Sequence, residues 1–296
     1  MPALEVAELR KSYGSLQALR GVSFAVETGE VLGYVGPNGA GKTTTLRIAL
    51  GLVHADSGTV RVLGALAASS ATRERVGYLP GELRLYGDRT ARSFLDLFAS
   101  FRPRRPPVLR PSLLDALGLG PSDLGRRIKF LSHGTRQKVG LVAAMQHDPD
   151  LLILDEPTTG LDPLVQRAFR EVLVERVERG RAVLLSSHVL SEAEALCHRV
   201  AVLRSGELLA VEPIEALRRR MVRRVQVRVR GTPPAALLTA PGVTRHEVQG
   251  ADVVLWVQGD VNPVLRAVAA TDVERFVFAE PQLEDVFMSF FEGQPS

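Results

Sequence analysis

The stretch of sequence that decides the fold is Gly36-Pro37-Asn38-Gly39-Ala40-Gly41-Lys42-Thr43. It fits the pattern G-x-x-x-x-G-K-[ST], in which glycines let backbone N–H groups turn inward and approach a polyphosphate. Residues 30–35 predict a buried strand before it, and residues 43–50 predict a helix whose positive N-terminal end faces the same ligand. The stretch therefore predicts a phosphate-binding loop, although a glycine turn without a ligand has a similar composition.

Two side chains at the end of this loop are suited to act on a bound polyphosphate. Lys42 can reach the β- and γ-phosphates, and the Thr43 hydroxyl can ligate Mg²⁺. This combination of residue types predicts that the loop binds a nucleotide together with a divalent cation.

A second segment with chemical potential is the apolar run 151–154, which is followed by Asp155 and Glu156. An apolar strand that ends in carboxylates places them at the C-terminal edge of a sheet, where α/β proteins bind ligands. Asp155 would hold Mg²⁺ through water, and Glu156 would polarise the water that attacks the γ-phosphate. A buried strand ending in acids is common by itself, but together with the loop at 36–43 it predicts a nucleotide-hydrolysing site.

Between the loop and the acidic strand lies Leu131-Ser132-His133-Gly134-Thr135, at the start of a predicted helix. With this segment the chain resembles an ATP-binding cassette (ABC) ATPase subunit, whose signature L-S-G-G-Q stands at the same place. The resemblance implies that Ser132 and Gly134 bind the γ-phosphate of ATP held by a second subunit. His133 replaces a glycine and Thr135 replaces the glutamine of that signature. From its sequence alone, Ser132 before a helix is also a common N-cap.

The resemblance extends to three further segments. Thr159-Gly160-Leu161-Asp162 is similar to the family's D-loop, which supplies Asp162. His188 follows the predicted strand 182–186 and matches the family's switch histidine, which implies a contact with the γ-phosphate in the transition state. Tyr13 matches the aromatic residue that stacks on adenine.

The resemblance implies ATP and Mg²⁺ as ligands of one site. Lys42, Glu156 and His188 are the predicted catalytic residues, and Thr43 and Asp155 are the predicted metal ligands. The predicted ATP-binding residues are Tyr13, Gly36, Asn38, Gly39, Ala40, Gly41, Lys42, Thr43 and Thr44.

One piece of the family pattern is absent. After the predicted strand 76–79 the family has a glutamine that touches Mg²⁺ and the attacking water, but here Gly81 stands in that position. Glu82 could substitute if the loop shifts. We therefore expect altered coupling or slower hydrolysis with nucleotide binding retained. Residues 83–86 would line the groove where a transporter's coupling helix docks.

The predicted fold class is α/β, because strands and helices alternate along most of the chain. A P-loop NTPase core of the ABC ATPase type is expected over residues 1–217, with a helical insertion at about 82–145. Residues 222–296 predict a small α+β ferredoxin-like domain. Its segment 283–287 resembles the accessory domain of ATPases of drug- and antibiotic-export type. The arginine-rich residues 218–224 predict a charged joint that is either solvated or in contact with lipid headgroups.

Composition limits the classes of function. The 296 residues are 45% hydrophobic and 24% charged, as in ordinary globular proteins, and the single cysteine, Cys197, excludes an internal disulfide. The sequence predicts no signal peptide and no membrane span. A net charge of +4 without aromatic residues interleaved in a basic stripe predicts no nucleic-acid partner.

These features together predict the energising subunit of an exporter of drugs or other small amphipathic compounds. The resemblance implies a homodimer at the cytoplasmic face of the membrane, which powers a separate transmembrane permease subunit. The alternative is a soluble nucleotide-dependent switch that takes no part in transport. A third hypothesis, a nucleotide-binding scaffold with little hydrolysis, rests on Gly81 and the altered signature.

Overall fold

The computed structural model describes residues 2–66, 70–220 and 222–278. The chain divides into two compact units, Met1–Val211 and Glu212–Ser296. Among the described residues, none of the helices is long and apolar enough to cross a membrane.

The centre of the first unit is a six-stranded sheet in the order β10-β9-β3-β8-β7-β6. Pairing is parallel from β9 through β3, β8 and β7 to β6. All residues of β3, β7 and β8 are buried, which explains why these strands are continuous apolar runs in the sequence. The strands are β3 (Val31–Val35), β6 (Val76–Leu79), β7 (Leu151–Asp155), β8 (Ala182–Ser187), β9 (Arg199–Arg204) and β10 (Glu207–Pro213).

A second, four-stranded sheet in the first unit has the order β2-β1-β4-β5, and its pairs are antiparallel. One hydrophobic core joins it to the parallel sheet and to the helix after the phosphate loop, through residues such as Leu4, Tyr34 and Leu46. The first two strands are longer than the sequence predicts, because their polar ends pair with each other across the turn at Gly14. The strands are β1 (Pro2–Tyr13), β2 (Leu16–Glu27), β4 (Ser57–Val62) and β5 (Ala65–Leu66).

Half of the helices described in the first unit lie between β6 and β7, as the prediction of a helical insertion requires. The predicted α/β fold with this insertion is confirmed. The short helices Ser70–Arg73 and Pro121–Gly125 and the 3₁₀ turn Ile128–Phe130 were not predicted. The helices are α1 (Lys42–Ala49), α2 (Ser70–Arg73), α3 (Ala91–Ser100), α4 (Arg110–Ala116), α5 (Pro121–Gly125), α6 (His133–Met145), α7 (Pro163–Glu178) and α8 (Leu190–Leu196).

The start of α8 differs from the sequence prediction. The pattern Ser191-x-x-Glu194 predicts a capping box, but Val189 is the N-cap and its side chain makes no capping hydrogen bond. The hydroxyl of Ser187 instead accepts the Val189 N–H at 2.9 Å and donates to Glu192 Oε2 at 3.0 Å. The serine at the end of β8 therefore starts the helix, and Ser191 lies inside it.

The arginine-rich segment 218–224 is not a free joint. Its first three residues end α9 (Ile214–Arg220), and residues 222–224 begin β11 (Val222–Val229). Val222 to Val229 alternates between exposed and buried positions, which is the pattern of a strand with one face on a core.

The second unit contains an antiparallel sheet in the order β12-β13-β11-β14. Its elements run strand, helix, strand, strand, helix, strand, which is the ferredoxin-like order. Buried valines and leucines of the sheet pack against both helices. The segment 283–287 and the predicted final helix 282–291 lie outside the described residues. The remaining elements are α10 (Ala235–Leu238), β12 (Val243–Gln249), β13 (Asp252–Gln258), α11 (Asn262–Ala269) and β14 (Val273–Phe278).

Candidate functional site

The loop at 36–43 connects β3 to α1 at the C-terminal edge of the parallel sheet. A Cβ atom on Gly36 would lie 2.2 Å from the backbone oxygen of Leu203, and one on Gly41 would lie 2.6 Å from that of Ala18. Gly41 also has φ +108°, a conformation that favours glycine. Close packing against neighbouring backbone thus requires glycine at both ends of the loop.

Lys42 points into this loop. Its Nζ donates to the backbone oxygens of Gly36 at 2.6 Å and Pro37 at 3.2 Å, and only 6% of the residue is exposed. Burial lowers the pKa of Lys42, against the opposing effect of the carboxylates of Glu156 and Asp155. The ammonium group therefore occupies a position where phosphate oxygens could replace the two carbonyl oxygens.

Two predicted metal ligands, Thr43 and Asp155, meet beneath the loop. Thr43 Oγ1 donates to Asp155 Oδ2 at 3.0 Å, and the carboxylate is 4% exposed. Ser186 Oγ donates to the other carboxylate oxygen at 2.5 Å. In the described part of the chain, no group of three or more His, Cys, Asp or Glu residues could hold a metal. Two oxygen donors fit Mg²⁺, because this ion is usually held by one or two protein oxygens, phosphates and water.

Glu156 and His188, predicted separately, are brought together. Glu156 Oε2 lies 2.6 Å from His188 Nδ1, and Glu156 Oε1 lies 3.9 Å from Lys42 Nζ. Glu156 has φ +52°, an uncommon conformation for a residue with a side chain, and its N–H donates to Ser186. Non-glycine residues in this region cost about 1–3 kcal/mol and cluster at functional sites.

These side chains line one cavity of about 1120 Å³. Tyr13 in this lining is 47% exposed, and Lys11 Nζ lies over its ring, 5.4 Å from the centroid. The cavity also holds residues that the sequence analysis did not single out, among them Arg20, Arg47 and Tyr78. The predicted site residues in its lining are Tyr13, Asn38, Gly39, Ala40, Gly41, Lys42, Thr43, Thr44, Asp155, Glu156 and His188.

Four predicted residues, Gly36, Ser132, Gly134 and Asp162, are not in the lining of this cavity. Ser132 is the N-cap of α6, where its hydroxyl accepts the Thr135 N–H at 3.1 Å. Asp162 is the N-cap of α7 and accepts the N–H groups of Leu164 and Val165 at 3.1 and 3.0 Å. Both residues therefore have a structural role in their own chain, whatever they contact outside it.

Gly81, the residue at the place of the family's glutamine, lies beside Asp155. A Cβ on Gly81 would stand 3.3 Å from Asp155 Oδ2, so this is the position from which a longer side chain would reach the metal ligand. The suggested substitute, Glu82, pairs instead with Arg84 at 3.2 Å, and both side chains are more than four-fifths exposed. Glu82 lines the same cavity as Asp155, with its carboxylate paired to Arg84.

Two supporting residues escaped the sequence analysis. Ser186 holds Asp155, and the parallel register that pairs these two residues was the signal, since it sets a hydroxyl next to a carboxylate. Gln137, 2% exposed on α6, donates to the backbone oxygens of Glu156 and Pro157 at 3.4 and 2.9 Å. A lone glutamine on an otherwise apolar helix face carries little signal until its acceptors are known.

Fold and site together define a class of protein. A protein-family profile described as "ABC transporter" matches residues 19–159. A solved "ATP binding subunit of ABC transporter" is 33% identical and superposes with a TM-score of 0.67 over 73% of this chain and 92% of its own. The class is therefore that of ABC ATPases with a P-loop NTPase core.

Relatives of nearly equal length narrow this further. The Nod factor export ATP-binding protein I of Paraburkholderia xenovorans is 37% identical over 97% of this chain and 96% of its own length. The protein of the same name from Rhizobium meliloti is 36% identical over 97% and 87%. The chain belongs to the family of ATP-binding subunits of ABC transporters. This membership confirms the resemblance drawn from the motifs and favours transport over the alternative of a soluble switch.

Proposed function

We propose that the chain binds Mg²⁺–ATP in the cavity beneath residues 36–43 and hydrolyses it to power export by a separate membrane subunit. One observation carries this proposal. The Thr43–Asp155 pair and the series Lys42, Glu156, His188 meet in one cavity next to the loop.

Lys42 and the loop would bind the phosphates. The glycines expose backbone N–H groups, and the buried ammonium would exchange its carbonyl acceptors for β- and γ-phosphate oxygens. Burial strengthens this charge interaction because little water screens it. Tyr13, a partly exposed residue of the cavity lining, would stack on the adenine ring.

Thr43 and Asp155 would hold Mg²⁺, which supplies charge neutralisation at the β- and γ-phosphate oxygens when bound. Ser186 keeps Asp155 in place because its hydroxyl donates a hydrogen bond to Asp155 Oδ1 at 2.5 Å. The Thr43–Asp155 hydrogen bond of 3.0 Å would give way to contacts with the ion.

Glu156 would orient and deprotonate the attacking water. Its carboxylate lies between Lys42 Nζ and His188 Nδ1, so one oxygen accepts from the histidine while the other faces the loop. His188 is about half exposed and would turn its ring towards the γ-phosphate once ATP is present. Removing a general base costs about 10²- to 10⁴-fold in rate.

The position of Ser132 supports a two-copy site. Ser132 is exposed at the N-terminus of α6 and Asp162 at that of α7, and neither lines the cavity of its own chain. Exposed helix N-termini favour anions. We propose a homodimer in which Ser132 and Gly134 of each copy bind the γ-phosphate of ATP held by the other copy.

A surface on the helical insertion suits a membrane partner. Tyr86, Phe101 and Phe130 are each about 60% exposed, and the Tyr86 ring lies tilted against that of Phe94, with 6.3 Å between the ring centroids. We propose that residues 83–86 contact a transmembrane permease at the cytoplasmic face of the membrane. The relatives named for Nod factor export support an exporter, with small amphipathic compounds as its substrates.

The catalytic assignment is tested by Glu156→Gln. This variant is expected to bind ATP with unchanged affinity but to lose at least about 100-fold in turnover, because the amide cannot accept the proton of water. ATP binding is measured by calorimetry and turnover by phosphate release. The matched control is Glu178→Gln, an exposed position at the end of α7. Normal turnover in Glu156→Gln would overturn the role of Glu156.

The transport assignment is tested with membranes. Tagged protein is expected to recover a subunit with several membrane spans, and that subunit should change the ATPase rate when both are reconstituted. Tyr86→Ser should weaken the recovery, whereas Leu66→Ser, which changes a similarly exposed side chain on β5, should not. Equal recovery with both variants would exclude residues 83–86 as the contact.

A further inference from the structure

The first two residues of α6, His133 and Gly134, pack closely against Gly160. A Cβ atom on Gly160 would lie 2.3 Å from Cδ2 and 2.8 Å from Nε2 of His133. A Cβ on Gly134 would lie 2.6 Å from the backbone oxygen of Gly160. Neither glycine could carry a side chain without displacing its neighbour, so the imidazole of His133 and the backbone of Gly134 both pack closely against Gly160.

The same helix holds the other end of this loop. One turn further along α6, Gln137 donates to the backbone oxygens of Glu156 and Pro157. Within the segment from Glu156 to Gly160, the Thr159 N–H donates to the backbone oxygen of Glu156 at 3.3 Å. The segment from Glu156 to Gly160 thus contacts α6 at both ends, through the hydrogen bonds of Gln137 at one end and through close packing of His133 and Gly134 at the other.

This arrangement connects two functional surfaces of one chain. Ser132, immediately before His133, is exposed and does not line the chain's own cavity, whereas Glu156 does. His133 is the side chain that bridges the exposed helix start and the loop leading back to Glu156. A glycine, which the family pattern has at this place, has no side chain with which to make the bridge.

We propose that His133 is a positioning residue that transmits contact of Ser132 with the ATP of a second copy to Glu156 in its own cavity. The inference rests on the proposed two-copy function. When Ser132 engages a phosphate, the start of α6 is fixed, and the imidazole of His133 then holds Gly160 and the loop behind it. Glu156 is therefore placed for catalysis in its own chain when the second copy holds ATP.

A double-mutant cycle on His133 and Gly160 tests this contact through kcat and KM for ATP. His133→Gly is expected to lower kcat about three- to ten-fold with little change in KM, since it removes positioning and leaves ATP binding intact. Gly160→Ala should lower kcat about ten-fold beside His133 but at most about three-fold beside glycine, because residues in contact are not additive. Thermal unfolding verifies that all variants fold.

Gly180→Ala is the matched control. Gly180 has φ +77°, almost equal to the +76° of Gly160, but a Cβ there would meet nothing within 4 Å. It reproduces the backbone strain of Gly160→Ala without the clash, so kcat should stay at the wild-type value. Additive effects of His133→Gly and Gly160→Ala, or wild-type kcat in His133→Gly, would overturn the inference.

Measuring dimer formation distinguishes failure of this inference from failure of the proposed two-copy function. The Glu156→Gln chain is expected to dimerise when ATP is added, as measured by light scattering. If it dimerises and the cycle is additive, the relay through His133 fails while the two-copy proposal stands. If it stays monomeric with saturating ATP, the two-copy proposal fails and the relay fails with it.

Discussion

Gly36 shows how a single missing side chain shapes the phosphate loop. Its φ is ordinary, yet a Cβ atom would lie 2.2 Å from the backbone oxygen of Leu203 at the end of β9. Gly36→Ala must therefore push the loop away from β9 and misalign its N–H groups. Overpacking of this kind costs about 1–3 kcal/mol, so the Kd for ATP should rise about ten-fold or more.

Calorimetric titration with ATP measures this effect, with Gly125→Ala as the control. Gly125 also has no left-handed φ, and a Cβ there would meet nothing within 4 Å. The control should bind ATP like the wild type and unfold at the same temperature. If Gly36→Ala binds ATP as tightly as Gly125→Ala does, the packing against Leu203 does not shape the site.

At the level of residues, the sequence predicted the residues that would act on ATP better than the residues that hold them in position. Lys42, Asp155 and Glu156 were placed because motif spacing and strand polarity are local properties. Ser186, which holds Asp155, depends on which strands are neighbours in the sheet. The contact of His133 with Gly160 depends on the approach of two segments far apart in sequence, which no local pattern encodes.

At the level of elements, an ion-pair network ties the segment between α3 and α4 to the loop before β7. Asp150 accepts from Arg75 at 2.7 Å and from Arg105 at 2.6 Å, and it also pairs with Arg181. Its side chain is only 14% exposed. Asp150→Asn should lower the free energy of unfolding by about 2 kcal/mol, because it removes a largely buried carboxylate that three partly exposed arginines share.

Chemical denaturation measures this loss, and Asp88→Asn is the control. Asp88 pairs with Lys129 at 2.8 Å, but its side chain is 89% exposed, so its removal should cost less than about 1 kcal/mol. Equal losses in the two variants would contradict a special role for the network around Asp150.

The same network predicts a dependence on pH. Burial alone would raise the pKa of Asp150, but the hydrogen bond from Arg75 and the charges of Arg105 and Arg181 outweigh it and lower the pKa. Stabilisation by a carboxylate of lowered pKa is complete above its unfolded pKa of about 3.9 and is lost as pH falls through the folded value. The gap in Tm between wild type and Asp150→Asn should therefore close below about pH 4. A gap that stays constant to lower pH would contradict this.

The accuracy of the predicted elements followed their burial. The bounds of β6 agree with the predicted strand 76–79, and β7 and β8 each extend one residue beyond the predicted strands 151–154 and 182–186, because buried apolar runs mark all three. The ends of β1 and β2 were missed, since their polar residues are held by pairing with each other rather than by a core. The capping box at Ser191 was wrong because Ser187, before the helix, supplies the hydroxyl.

At the level of the whole molecule, the cavity of one chain contains every predicted catalytic residue but not Ser132. In the proposed homodimer, each ATP would be enclosed by the loop of one copy and the α6 start of the other. Symmetric dimers use the same surface patch twice, so each contact between loop and signature occurs twice. Defects in the two halves of the site should therefore complement each other when they lie on different chains.

Mixing two inactive variants tests this arrangement. Lys42→Ala removes the buried ammonium from the loop, and Ser132→Arg blocks the exposed start of α6, so each homodimer should lack both working sites. In a one-to-one mixture about half of the dimers are mixed, and each has one intact site formed by the loop of the Ser132→Arg chain and the helix of the Lys42→Ala chain. Phosphate release should therefore recover to about a quarter of the wild-type rate. A control mixture of Lys42→Ala with Glu156→Gln should remain inactive, since both changes lie in the same half-site. No recovery in the test mixture, although mixed dimers form, would show that each cavity works without the α6 start of a second copy.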